Sequence, residues 1–189
     1  GALTATLVFA LTIGFLTVQA VAFALLGPEA GYLAVRWLLL AVAVATVVAI
    51  ATPRTGTLPA LALAAAVGLT PWLPRQLLWT HYDGFATVYL LVAVGLLLGP
   101  RRPWRLLAAG ALLGLVGNAN LGYAVVIGTG VAAWWLAVPA SRRERARGLV
   151  ALGAGLIAAE LVLSLTVRLL VGSGPWFAEW VAIRTALLL

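Results

Sequence analysis

The sequence predicts an all-α fold, a polytopic transmembrane helical bundle of about seven spans with a truncated eighth. Three observations predict it. Hydrophobic residues make up 64% of the 189 residues and charged residues only 9%, where a soluble domain carries about 25%. The apolar residues fall in long runs that are apolar on every side, without the alternation over roughly ten residues that marks barrel strands. The basic residues collect in the short gaps between these runs.

At 1.5 Å per residue a spanning helix needs about 20 apolar residues. The first run extends from about Leu3 to Leu26 and stops at Gly27-Pro28-Glu29. The second covers Gly31 to Thr52 and stops at Pro53-Arg54. The third, Leu58 to Leu69, ends before Pro71 and Pro74. The fourth covers Thr80 to Leu98, the fifth Trp104 to Gly117, the sixth Leu121 to Val138 and the seventh Gly148 to Val171. An eighth begins near Trp176. The first residue is glycine and no methionine occurs. We therefore read the chain as one transmembrane domain, residues 1–189, excerpted from a longer protein, with any further domain outside it.

Composition excludes several chemistries. Without cysteine there is no disulfide framework, thiolate nucleophile or Cys-zinc site, and the single His81 builds no multi-histidine metal site. Without lysine there is no Schiff base and no P-loop. The net charge of +7 comes from arginines in the gaps, which fits membrane topology and anionic lipid and not nucleic acid.

Orientation follows from those arginines. Arg54, then Arg101, Arg102 and Arg105, then Arg142, Arg143, Arg145 and Arg147 occupy alternate gaps. The positive-inside rule makes these gaps cytoplasmic, along with the N-terminal end of the chain. Arg36, Arg75, Arg168 and Arg184 fall toward the opposite face. They read either as a phosphate-binding cluster or as separate arginines snorkelling to the interface. Gly110 and Gly114, then Gly153 and Gly155, read as close helix packing. Glu144 reads as a solvated ion pair among arginines. Glu160 falls inside the seventh run, with Ser164 and Arg168 at four-residue steps on its face. It reads as a carboxylate paired with another helix or as the lining of a buried cavity.

The stretch from Pro71 to Gly84 is the richest in polar and aromatic groups: Arg75, His81, Tyr82 and Asp83 stand among Trp72 and Trp79. Asp83 alone reads as a helix cap. The order of this stretch, an apolar helix, the basic turn ending in Trp104-Arg105, and the helix Leu106-Leu107-Ala108-Ala109-Gly110-Ala111-Leu112-Leu113-Gly114-Leu115 resembles the middle of the GT-C membrane glycosyltransferases. The bacterial protein-mannosyltransferase-like and aminoarabinose-transferase-like enzymes are the nearest of these. The resemblance covers roughly Ala60 to Val138.

It implies transfer of a sugar from a polyprenyl-phosphate donor to a cell-envelope acceptor, on the extracytoplasmic face of a bacterial plasma membrane. It implies that Asp83, the one residue carried over from it, takes the acceptor's proton. Arg75, His81, Tyr82, Glu160 and Arg168 are expected from their own chemistry and positions to bind substrate, with room for a divalent cation. The family's principal acid sits in a large first outer loop. Glu29 does not match it, which places that acid upstream of Gly1 and leaves this excerpt inactive by itself. Asn118 and Asn120 depart from the family's polar pair at that point. Two other readings stand beside this one. A transporter or lipid flippase would also place Glu160 and Arg168 inside the membrane, though the chain has no inverted repeat. A non-catalytic membrane subunit would need no His81-Tyr82-Asp83 cluster.

Overall fold

The computed structural model describes residues 18–71, 75, 83–119, 130–131 and 140–171. Their order is all-α. Helix α1 covers residues 18–26, α2 Pro28–Thr55, α3 Thr57–Leu69, α4 Asp83–Leu98, α5 Pro103–Ala119 and α6 Arg142–Val171. Arg75 and residues 130–131 are also helical.

Two glycines set the first turns. Gly27 and Gly56 hold φ of 80° and 85°, a region costly for any residue with a Cβ. Gly27 separates α1 from α2, and Pro28 follows as the first residue of α2, where its missing N–H is no loss. α1 folds back along α2: at Gly31 an added Cβ would lie 2.7 Å from the Ala22 backbone. Gly56 ends α2 and its amide bonds Thr52 O at 3.0 Å.

α2 therefore runs past the proline expected to stop it. Pro53 lies in its last turn, where the ring removes one amide donor and the chain is about to turn in any case. Arg54 Nη1 donates to Ile50 O at 2.5 Å there, a favourable place for a cation at a helix C-terminus.

The helices pack in a row, α3–α2–α4–α5–α6. α3 returns antiparallel to α2, bringing Gly68 against Val44. α4 runs parallel to α2: Val35, Leu39 and Ala43 form one core cluster with Phe85 and Val88. Further along, Thr46 and Ile50 meet Gly95. α5 turns back on α4, and Ala93, Leu97, Leu106 and Ala109 make a second cluster. α5 and α6 form the most extensive contact. They are parallel, with Gly110 facing Leu152 and Gly114 facing Leu156 and Ala159. The approach is close enough that a Cβ at position 110 would strike the Leu152 carbonyl, and one at 155 the Leu107 carbonyl. This is the close packing expected from the glycines.

A row has two open faces. The buried core is mostly alanine, valine and leucine, and Phe85 and Val116 are its largest fully enclosed side chains. Leu33, Trp37 and Leu38 on α2 lie exposed, as do Leu149, Val150, Ile157, Leu161 and Val162 on α6.

The expected seven or eight spans are not met. Among the described residues only two helices are long and apolar enough to cross a membrane, Pro28–Thr55 and Arg142–Thr166. The reason is length. At 1.5 Å per residue, α3, α4 and α5 reach only about 20, 24 and 26 Å, short of a hydrocarbon core of about 30 Å. The multi-pass plasma-membrane localisation is corrected on the same ground. The sixth and eighth expected runs lie outside the described residues, apart from the helical residues 130–131.

The glycine contact makes two opposite predictions. Gly110→Ala forces α5 from α6 and lowers stability by about 1–3 kcal/mol. Gly153 has nothing within 4 Å of an added Cβ, so Gly153→Ala raises stability by up to about 1 kcal/mol through helix propensity. Thermal melts of the two variants check the pair. Equal shifts of the same sign would contradict the packing.

Candidate functional site: a basic end and a far end

The directions of the helices sort the charges. α2 and α4 run toward one end of the row, and α5 and α6 start from it. That end carries Arg54, Arg101, Arg102, Arg105, Arg142, Arg143, Arg145 and Arg147. These are the eight arginines of the three alternate gaps. The opposite end carries Glu29 in the first turn of α2 and the start of α4 at Asp83.

At the basic end, Ser141 and Glu144 close the start of α6. The Ser141 amide and hydroxyl donate to Glu144 Oε2 at 3.0 and 2.8 Å, and the Glu144 amide donates to Ser141 Oγ at 3.3 Å. This is a reciprocal capping box. It starts α6 at Arg142, six residues before the expected Gly148. The Ser141 hydroxyl and amide hold the Glu144 carboxyl below its usual range, with Arg101 and Arg147 adding to the effect.

Arg54 ties two helices together at this end, since its Nη2 also donates to Leu98 O at 3.5 Å. Arg105 lies with its guanidinium carbon 5.5 Å from the Trp104 ring centroid. Its guanidinium rests against Gly99.

The residues expected to carry chemistry do not form one cluster among those described. Asp83 opens α4 at the far end and Arg168 lies in the last turns of α6; both are placed by backbone alone. Arg75 is helical and exposed beyond α3. His81 and Tyr82 lie outside the described residues, as do Trp72, Trp79 and Asn120. Glu160 is half-buried in α6, and the Ser164 hydroxyl donates to its backbone carbonyl. α5 stands between α4 and α6 in the row.

Arg36, expected toward the outer face, lies in the far half of α2. It is only 4% exposed, and its guanidinium carbon lies 4.8 Å from the centroid of the Tyr32 ring one turn earlier. Gln19 of α1 is buried as well. Burial and cation–π stacking make Arg36 a packing residue of the far half of α2. The i, i+4 spacing of Tyr32 and Arg36 was the signal for it in the sequence.

Among the described residues no three of His, Cys, Asp or Glu come together as a metal site. No family model matches the chain, and neither the curated proteins nor the solved structures contain a significant match. The GT-C resemblance, with its polyprenyl-phosphate donor and extensive multi-pass character, thus finds no counterpart.

The capping box predicts a pH dependence. A carboxyl whose folded pKa is lowered contributes stability above its unfolded value, about 4.3 for glutamate, and loses it as pH falls through the folded value. Melting from pH 7 to pH 3 should show an acid-side loss that is smaller in Glu144→Gln. Ser141→Ala should lower stability by about 1 kcal/mol at neutral pH. An unchanged melt for Ser141→Ala would remove the cap from the account.

Proposed function

We propose that this chain associates with a lipid bilayer through α2 and α6, with its basic end among anionic headgroups. One observation carries this reading. The two helices of membrane-crossing length run in opposite directions, both carry arginine at the same end, and only 22% and 17% of their apolar stretches are buried. Core helices of a soluble protein bury such stretches. Contiguous apolar surface on this scale marks a lipid or protein contact.

Two further features support it. Six hydroxyls, those of Thr46, Thr52, Thr55, Thr70, Ser164 and Thr166, donate to the carbonyl four residues back in their own helix. That satisfies them where no water is at hand. The clustered arginines suit an anionic surface, at about 1 kcal/mol for each residue near it.

Sugar transfer is the chemical reading proposed for the far end, with Asp83 as base. What supports it is the likeness in sequence, together with the position of Asp83 at the start of α4, away from the arginines.

Flotation of the protein with vesicles tests the first proposal. The chain should float with both neutral and anionic vesicles, and resist alkaline extraction. Replacing Arg142, Arg143, Arg145 and Arg147 by Gln should weaken partition into anionic vesicles more than into neutral ones. A monodisperse protein recovered without detergent or lipid would overturn the reading. For the second proposal, Asp83→Asn should abolish transfer of radiolabelled sugar by membranes holding the full-length protein, at unchanged expression. Unaltered transfer would remove Asp83 from the chemistry.

A further inference from the structure

We infer that the groove between the second half of α2 and the second half of α4 holds one acyl chain of an anionic phospholipid, with the phosphate seated on Arg105 and Arg54. The inference rests on the bilayer reading and adds to it a specific site. The groove has a volume of about 710 Å³, inside the range of roughly 300–1,000 Å³ found for ligand pockets. It runs from Val42 to Arg54 along α2, and from Val92 to Leu98 along α4 into the turn at Gly99 and Pro100. Twelve residues of α2 cover about 18 Å, which matches the depth of one leaflet, half of a hydrocarbon core of about 30 Å.

The walls suit a hydrocarbon chain. Ala45 and Ala49 form an exposed strip of small side chains along α2. Thr46 is the uncharged polar residue of the lining. Its hydroxyl donates to Val42 O at 2.7 Å, and its methyl group is the part that approaches Gly95, 3.1 Å from where a Cβ would be. Gly95 carries no side chain to fill the space.

The mouth suits a phosphate. Its charged side chains are Arg54 and Arg105, and no acidic residue lines it. Arg54 uses one donor of Nη1 on Ile50 and one of Nη2 on Leu98. A guanidinium has five N–H donors in a fixed fork, so three stay available to phosphate oxygens. The mouth lies at the basic end, at headgroup depth when α2 sits in the bilayer. An apolar trough with a cationic end at that depth recognises an anionic amphiphile, and in a membrane the abundant anionic amphiphile is a phospholipid.

The test is native mass spectrometry of the full chain purified from mixed vesicles of phosphatidylglycerol and phosphatidylcholine, with gentle detergent removal. One retained phosphatidylglycerol per chain is expected, in preference to phosphatidylcholine. Arg105→Gln should reduce its retention about tenfold, the scale of a lost charge-assisted hydrogen bond. Ala45→Phe with Ala49→Phe fills the trough from exposed positions, and should abolish retention of either lipid. Arg143→Gln, at the same end but outside the groove, should reduce retention far less than Arg105→Gln. Retention that survives the filled trough, or that falls as much in Arg143→Gln as in Arg105→Gln, would overturn the site. No retained lipid in the unmodified chain would overturn it too. Flotation of the same preparations separates the two claims: a chain that floats but retains no lipid keeps the bilayer reading and loses this site.

Discussion

The backbones of α5 and α6 approach so closely that neither Gly110 nor Gly155 has room for a Cβ. Much of the remaining arrangement depends on that approach. Because each glycine meets the other helix's backbone, the pair is held in one register, with Gly110 at Leu152 and Gly114 at Leu156. That register makes α5 and α6 parallel, and it sets the charged first turn of α6 beside the turn joining α4 to α5. Arg101, Arg147 and Glu144 line one small cavity there with Pro103 and Leu106. A larger residue at either glycine would trade this order for separation, since what it would strike is backbone.

The row arrangement has a cost that the composition anticipates. Each helix of a row buries only the sides that meet its neighbours, so the other faces stay open. In α6 the buried Gly155 lies against α5, while Leu149, Ile157, Leu161 and Leu165 stay exposed. In water this surface would drive association. In lipid the same surface is neutral, and the internally bonded threonines cost nothing. Charge partition agrees with the apolar faces, because eight of the twelve arginines stand at one end of the row.

Much of this was legible in the sequence. The runs Leu58–Leu69 and Trp104–Gly117 correspond closely to α3 and α5, because Gly56, Pro71 and Pro103 punctuate the chain there. The alternate arginine gaps foretold the basic end, and the glycines foretold the α5–α6 contact. What failed has physical causes. Hydropathy reports the solvent a run prefers and not how long its helix is, so short helices were counted as spans. Pro53 reads as a stop in the sequence, yet a proline in a last turn removes a single bond. Ser141-Arg142-Arg143-Glu144 has the spacing of a capping box, yet its charge drew attention to ion pairs. Glu160 and Asp83 could not be placed relative to each other by periodicity, which relates residues on one helix only. The groove beside Arg54 and Arg105 joins residues about fifty positions apart, beyond the reach of any local pattern.

The central claim is the parallel register of α5 and α6 that gathers the arginines at one end. The chain contains no cysteine, so spin labels can be attached at introduced pairs without background. Pulsed electron resonance distances from Arg102→Cys to Arg143→Cys, and from Arg102→Cys to Thr166→Cys, test the register directly. The account predicts a short first distance and a second one longer by about 30 Å, since 23 residues of helix separate positions 143 and 166. A shorter distance to position 166 than to position 143 would mean that the helices are antiparallel, and would contradict the account.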